Sequence, residues 1–339
     1  MSRFVIPNRI FDPAAECMPR SDRAGLQATH LRRAVEQAQK LSFYRRKFAA
    51  KNITPDVIRT IDDIRRLPFT TRKDLLAGYP FGFFAVPRRE LARIHAAGEP
   101  EERLLFVGYT RNDLKLWSTL CARILVSGGL TSDQLVQVSF CYGPLTEGFG
   151  LHGGIERVGA AVLPASGGDS LRQLLLLKDA QADTLVCNPS CALDLAETIV
   201  KTGTRRNELA LRFLHLGGER LTPEVRGSLE DQLGVQVFNN YGPPEVLGPG
   251  VAGECAARCG MHVQEDHFCV ECIDPETLEP VSDGEVGELV LTSLTREACP
   301  VIRYRTGDLV RVSREVCACG RTTLRICREL PNTAGNNLP

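Results

Sequence analysis

The 339 residues carry 41 Lys or Arg and 41 Asp or Glu, so the chain is formally uncharged, which argues against a nucleic-acid arm or an acidic tail. With 43% hydrophobic and 24% charged residues the chain can bury a large core, and its length implies two or three sub-domains; disorder and collagen are excluded. No apolar run reaches the ~20 residues of a membrane span, and the opening MSRFVIPNRIFDP has no signal-type apolar stretch, so the expectation is a cytoplasmic protein without membrane or nucleic-acid partners.

From Leu26 to about Phe48, Leu31, Ala34, Val35, Ala38 and Leu41 recur at helical spacing, which predicts one amphipathic helix. Thr54 and Pro55 supply a cap and a first-turn proline for a second helix carrying Val57, Ile58, Ile61 and Ile64, and Pro68 ends it. Beyond about residue 92 the rhythm changes. Short apolar runs at Leu104–Val107, Gln134–Phe140, Ala160–Leu163, Thr184–Cys187, Phe213–Leu216 and Val235–Phe238 mostly alternate with helical stretches. One such helix starts at Thr110, with Asp113 three residues on as a reciprocal cap and Leu114, Trp117, Cys121 and Ile124 on one face. Strand alternating with helix marks a largely parallel α/β sheet. From Gly284 the pattern becomes strand-rich (Glu288–Thr292, Val301–Tyr304, Leu309–Val312), which suggests a small barrel or antiparallel appendage.

Three strand-end turns invite a ligand. Asp308, in Tyr304-Arg305-Thr306-Gly307-Asp308-Leu309, can accept both hydroxyls of a ribose. Tyr241, in Tyr241-Gly242-Pro243-Pro244-Glu245, offers an aromatic face for a base, and Glu245 a carboxylate for a cation. Gly217, Gly218 and Glu219 form a turn that lets a flat ligand approach the backbone. Each alone is equally readable as an ordinary turn. Together they occupy the carboxyl edge where open α/β sheets bind ligands.

Thirteen cysteines in a chain without export signals are expected to be reduced thiols, most of them small buried hydrophobes. Cys255, His262 after six intervening residues, and Cys317 with Cys319 give four soft or borderline ligands suited to tetrahedral zinc, with Cys259 as a rival fourth ligand. Buried thiols without a metal are the alternative. Cys269 and Cys272 read as strand residues, and His267 as a structural histidine.

The turns YRTGDL, YGPPE and GGE, with FYRRKF (43–48), LPFTTRKDL (67–75), YPFGFFAVPR (79–88), GYTRNDL (108–114), LPASGG (163–168), EDHF (265–268) and PVIRYRTGDL (300–309), cover nearly the whole chain. They resemble the phenylacetate-CoA ligases, within the adenylate-forming (acyl-CoA synthetase) superfamily. The resemblance implies the large N-terminal domain of that fold: a helical section over 1–92, an α/β subdomain over 93–240, and a β-rich, barrel-like region over 241–330 that carries the nucleotide site and a structural zinc. The tail 331–339 is expected to fray. It also implies that Asp308 holds ribose, Tyr241 stacks on adenine beside Gly242, residues 217–219 line the adenine site, Glu245 binds magnesium, and Tyr142 and Gly143 lie beside the acyl pocket. The family joins ATP to a carboxylate and passes the acyl group to CoA.

Two features depart from that pattern. Where the family has a loop of the type SSGTTGKP, this chain reads Ala97-Gly98-Glu99-Pro100-Glu101-Glu102-Arg103-Leu104. The phosphate-binding hydroxyls are replaced by three carboxylates, and Arg103 alone keeps the positive charge. Each unit charge facing a phosphate at ~4 Å costs about 1 kcal/mol in water and about 4 in a partly shielded site. The second is the ending, Arg325-Ile326-Cys327-Arg328-Glu329-Leu330, where relatives continue through a hinge into a small C-terminal domain. The expectation is a degenerate relative that keeps an AMP or acyl-adenylate site. The alternatives are an active aryl- or acyl-CoA ligase completed by a separate C-terminal subunit, and a non-catalytic scaffold; a homodimer fits any of these.

Overall fold

The computed structural model describes residues 6, 8–98, 104–144 and 146–329, and Glu99, Glu101, Glu102, Arg103 and the tail 331–339 lie outside them. Short α1 (Pro13–Glu16) precedes α2 (Arg20–Ala38) and α3 (Ser42–Ala50). The single helix expected over 26–48 is thus two helices. The chain turns at 39–41, where the Arg45 guanidinium donates to the freed carbonyls of Gln39 and Lys40. This break lets Leu41, Tyr44 and Phe48 reach the core. The helix expected after Thr54 is instead two 3₁₀ turns, Pro55–Val57 and Ile61–Arg66, separated by extended Ile58. Asp63 accepts from the backbone N–H groups of Arg59 and Thr60, which starts the second turn afresh.

Helix α4 (Arg72–Ala77) is opened by a reciprocal Thr71/Asp74 cap. Just before it, Tyr44 Oη lies 2.8 Å from Thr70 Oγ1 and accepts from Ile302 N at 2.9 Å, so the helical section is bonded into the far end of the chain. A two-stranded ribbon follows, β1 (Leu91–Ala97) against β2 (Leu105–Thr110). The reciprocal cap expected at Thr110 and Asp113 opens α5 (Arg111–Ser127). Buried Asp113 also accepts from the N–H groups of Glu297 and Ala298, tying α5 to a segment more than 180 residues away.

The remaining strands are β3 (Leu135–Val138), β4 (Ala161–Leu163), β5 (Thr184–Cys187), β6 (Phe213–Leu216), β7 (Gln236–Tyr241), β8 (Ala252–Glu254), β9 (Met261–Val263), β10 (Phe268–Ile273), β11 (Val286–Ser293), β12 (Tyr304–Ser313) and β13 (Arg325–Arg328). The helices α6 (Glu147–Val158), α7 (Ser170–Ala180), α8 (Pro189–Lys201) and α9 (Pro223–Leu233) connect the earlier ones. All eleven strands form one sheet in the order β10-β11-β12-β13-β9-β8-β7-β6-β5-β3-β4. Neighbours from β4 to β7 pair in parallel, and from β7 to β10 antiparallel. The strand-rich stretch expected as an appendage is therefore the continuation of the same sheet. Leucines of α7, α8 and α9 cover one face of the parallel half, and α5 with α6 packs on the main core.

In the parallel half, β6, between β5 and β7, carries His215, fully buried and stacked on Phe238 at 5.4 Å between ring centroids. Neither ring nitrogen has a hydrogen-bond partner, and burial pushes its pKa down to about 3. The unfolded chain, with a histidine near its ordinary value, takes up a proton first as the pH falls. Stability is therefore lost from about pH 6.5 downwards, amounting to about 2–3 kcal/mol at pH 4.5. A His215→Leu variant should show a shallower fall in unfolding free energy between pH 7 and pH 4.5, by about one proton, in urea titrations at the two pH values. An unchanged slope would show that His215 is not the group responsible.

Candidate functional site

Four strand ends converge at the carboxyl edge of the parallel half. Glycines shape two of the turns: Gly218 has a positive φ of 78°, and a Cβ on Gly242 would fall 1.8 Å from the Gly248 carbonyl oxygen, so no side chain fits there. Next to Gly218 lie the Phe140 ring and the Glu147 side chain, the latter at the start of α6. Tyr142 is half-buried, its hydroxyl 3.0 Å from His152 Nδ1 and its ring edge-on to Phe149, whereas a Cβ on Gly143 would meet nothing within 4 Å.

Tyr241 and Asp308 meet directly: the phenol donates to Asp308 Oδ2 at 2.7 Å. Strands β8, β9 and β13 lie between their strands in the sheet, so this bond requires the antiparallel half to curl back over β7. Arg328, at the end of β13, donates to Asp308 Oδ1 at 2.5 Å, and its guanidinium carbon lies 5.4 Å from the centre of the Tyr241 ring.

Two expected residues have other partners. Glu219 accepts from Asn188 Nδ2 at 2.5 Å, Ser190 Oγ at 2.6 Å and Ser190 N at 3.0 Å, so its carboxylate is turned to the first turn of α8. Glu245, nearly buried, is ion-paired with Arg72, and Tyr304 stands beside them. As arranged, this donor set does not fit magnesium, because a divalent cation would first have to displace the guanidinium. Arg103 lies outside the described residues.

The ligand atoms of Cys255, His262, Cys317 and Cys319 all lie within 4.8 Å of one another, and all four residues are buried. The Sγ atoms of Cys255 and Cys317 are 3.7 Å apart, and Cys319 Sγ is 3.4 Å from His262 Nε2. His262 Nδ1 lies 2.9 Å from Thr323 Oγ1, an outer partner that leaves Nε2 free to face the thiols. Cys259 is exposed; its Sγ lies 3.6 Å from that of Cys317 and receives a 2.6 Å contact from the Arg325 guanidinium. The compact tetrad therefore contains Cys255 rather than Cys259. Cys269 and Cys272 sit on β10 as expected, and His267 Nδ1 lies 2.9 Å from Thr295 Oγ1.

Residues 109–295 match the AMP-binding enzyme family. The chain is 42% identical over 319 residues to the phenylacetate-coenzyme A ligase of Thermus thermophilus, covering 94% of this chain and 72% of that protein. The chain belongs to the phenylacetate-coenzyme A ligase family of AMP-binding enzymes. The Pseudomonas putida phenylacetate-coenzyme A ligase is 41% identical over 84% of this chain and 66% of its own length. Among solved structures, an open conformation of 2-hydroxyisobutyryl-CoA ligase in complex with 2-HIB-AMP and CoA superposes with a TM-score of 0.87 at 26% identity, covering 93% of this chain and 75% of that one. The α/β architecture with one large mixed sheet is that of the N-terminal domain of the adenylate-forming fold.

Three charged residues of this family member were not singled out from sequence: Arg72, Glu147 and Arg328. Arg72 lies within the quoted LPFTTRKDL segment and Arg328 within the closing residues, but only the fold shows which carboxylates they face. Burial raises the Glu147 pKa, and the Glu245 carboxylate adds to the shift, outweighing the bonds from Thr146. The unfolded state ionises first as the pH rises, so Glu147 contributes stability only at low pH and loses it through the carboxylate range and above. Glu147→Gln should therefore raise the melting temperature at pH 8 and leave it nearly unchanged at pH 4. Equal shifts at both pH values in thermal melts would contradict this.

Proposed function

We propose that the chain keeps a nucleoside-monophosphate or acyl-adenylate site and has impaired ATP-dependent adenylation. The observation that carries this reading is a contrast between the assembled turns and the sequence of segment 97–104. Tyr241, Asp308 and the Gly217-Gly218 turn remain assembled, while the segment 97–104 holds three carboxylates and no hydroxyl. Adenylation needs donors and cations placed where charge develops around the α-phosphorus as pyrophosphate leaves, and removing one such preorganised donor costs about 3–4 kcal/mol. Arg103 is the one cation in that segment, set among Glu99, Glu101 and Glu102.

In this reading Asp308 accepts from ribose, Tyr241 and Gly242 flank the base, Gly217 and Gly218 admit it to the backbone, and Tyr142 and Gly143 border the acyl group of a small aromatic or aliphatic carboxylate. A second reading, an active ligase joining a carboxylate to CoA with ATP, is favoured by the naming of the Thermus and Pseudomonas relatives as phenylacetate-coenzyme A ligases. Pyrophosphate release with aromatic acids, ATP and magnesium separates the two. None is expected, and robust acyl-CoA formation would establish the second.

The binding experiment is calorimetric. AMP should bind about tenfold or more tightly than ATP, because only ATP brings β- and γ-phosphates toward the carboxylates. Asp308→Ala should weaken AMP by at least about tenfold through loss of its hydrogen bonds. ATP binding as tight as AMP would overturn the repulsion argument.

We further propose a structural zinc held by Cys255, His262, Cys317 and Cys319. The chemistry of two segments more than 50 residues apart, with three thiols and one imidazole buried together, fits a closed four-coordinate site. Elemental analysis should find one zinc per chain. Cys317→Ser should release it and lower stability by about 3 kcal/mol or more, since a closed metal site contributes directly to folding. Full stability of metal-free protein would remove the proposal.

A further inference from the structure

Among the described residues Arg328 is the ion-pair partner of Asp308, and it belongs to none of the turns that mark the site. Its guanidinium takes one carboxylate oxygen while Tyr241 takes the other, and it also flanks the Tyr241 ring. A ribose that uses Asp308 and a base that uses Tyr241 both arrive where this cation already sits. Its Nε is buried without a hydrogen-bond partner, so the guanidinium has an unmet donor. Arg72, also at the cleft, is spent on Glu245.

We infer that Arg328 is a specificity-determining residue that selects nucleoside monophosphates over nucleosides. The inference rests on the nucleotide reading above. As the ribose hydroxyls take Asp308, the guanidinium is released and needs another anion. A phosphate monoester supplies one, through short charge-assisted bonds that suit a planar fork. A nucleoside supplies only neutral hydroxyls and leaves the cation uncompensated in a largely desolvated place. The pairing with Asp308 thus acts as a toll that only a phosphorylated ligand offsets. Arg328 also lowers the Tyr241 pKa that burial and Asp308 drive up, in keeping with a cation at the ring.

The test measures adenosine and AMP dissociation constants by calorimetry for the wild type, Arg328→Gln and Arg328→Lys. In the wild type AMP should bind better than adenosine, and that preference should shrink as salt is raised. In Arg328→Gln the preference should fall by about tenfold or more, because AMP loses a charged partner while adenosine no longer competes with the guanidinium. Arg328→Lys, which keeps the charge without the fork, should retain part of the preference. Equal weakening of both ligands in Arg328→Gln would reduce Arg328 to a structural role and overturn the inference. If Arg328→Gln fails to fold, the wild-type salt series still decides: a preference indifferent to salt overturns it. A wild type that binds both ligands equally keeps the nucleotide site but not the role of Arg328, whereas one that binds neither removes the site itself and the inference with it.

Discussion

Strand β7 is hydrogen-bonded in parallel to β6 on one side and antiparallel to β8 on the other, and both functional regions depend on that change of direction. Upstream of it, helix crossovers deliver strand ends to one edge and build the cleft. Downstream, short reversals carry the chain back and forth so that β12 can arch over the end of β7. The seam is held by a buried charge. Glu254, closing β8, accepts two bonds of 2.8 Å from Arg226 of α9 and one of 2.8 Å from the Asn239 N–H in β7. One carboxylate thereby joins a helix of the parallel half to the first antiparallel strand, with the bidentate geometry that makes such pairs strong and directional. Cys255 follows immediately, so the same anchor sets one corner of the thiol cluster.

Other long-range pairs repeat the theme at the periphery. Arg123 of α5 meets Asp266 and Asp12, Arg303 meets Glu271, and Arg321 meets Glu16 with both side chains almost wholly buried. Buried pairs of this kind add little net stability against apolar replacements, yet losing one partner strands a charge. Their consequence here is positional. Arg321–Glu16 and Arg123–Asp12 tie the N-terminal segment to the far end of the chain and to α5, Arg123–Asp266 ties α5 to the turn before β10, and Arg303–Glu271 ties the segment before β12 to β10.

Sequence pattern revealed what is local and periodic. The cap at Thr110 and Asp113, the five parallel strands and the turns at Gly217–Gly218 and Gly242 lie close to where spacing and residue chemistry put them, because each is decided within a few neighbouring positions. By contrast, the run Leu104–Val107 belongs to an antiparallel ribbon, and Asp308, expected in a strand-end turn, lies within β12. The Cys/His set was readable because those residue types rarely cluster without a common partner. Side-chain pairing was not readable. Nothing near Glu219 in sequence says that it bonds Asn188 and Ser190 instead of facing the cleft, and Arg72 and Glu245 stand 173 positions apart. The break at 39–41 escaped for a related reason: the apolar spacing continues through it, and the demand to seat Tyr44 against Thr70 and Ile302, with Phe48 stacked on it, comes from tertiary packing.

The charges around the cleft follow a common logic. Asp308 is matched by Arg328 and Glu245 by Arg72, so these two cations are already committed to carboxylates beside them. Glu147 is raised in pKa by burial and by the neighbouring Glu245 carboxylate. A ligand with one phosphate can recruit a single guanidinium by freeing it from its carboxylate. A triphosphate asks for more positive charge than one freed guanidinium supplies, and the sequence 97–104 adds three carboxylates rather than cations. Under the proposed nucleotide reading, this pairing of charges favours a ligand at the adenylate level of charge over a triphosphate.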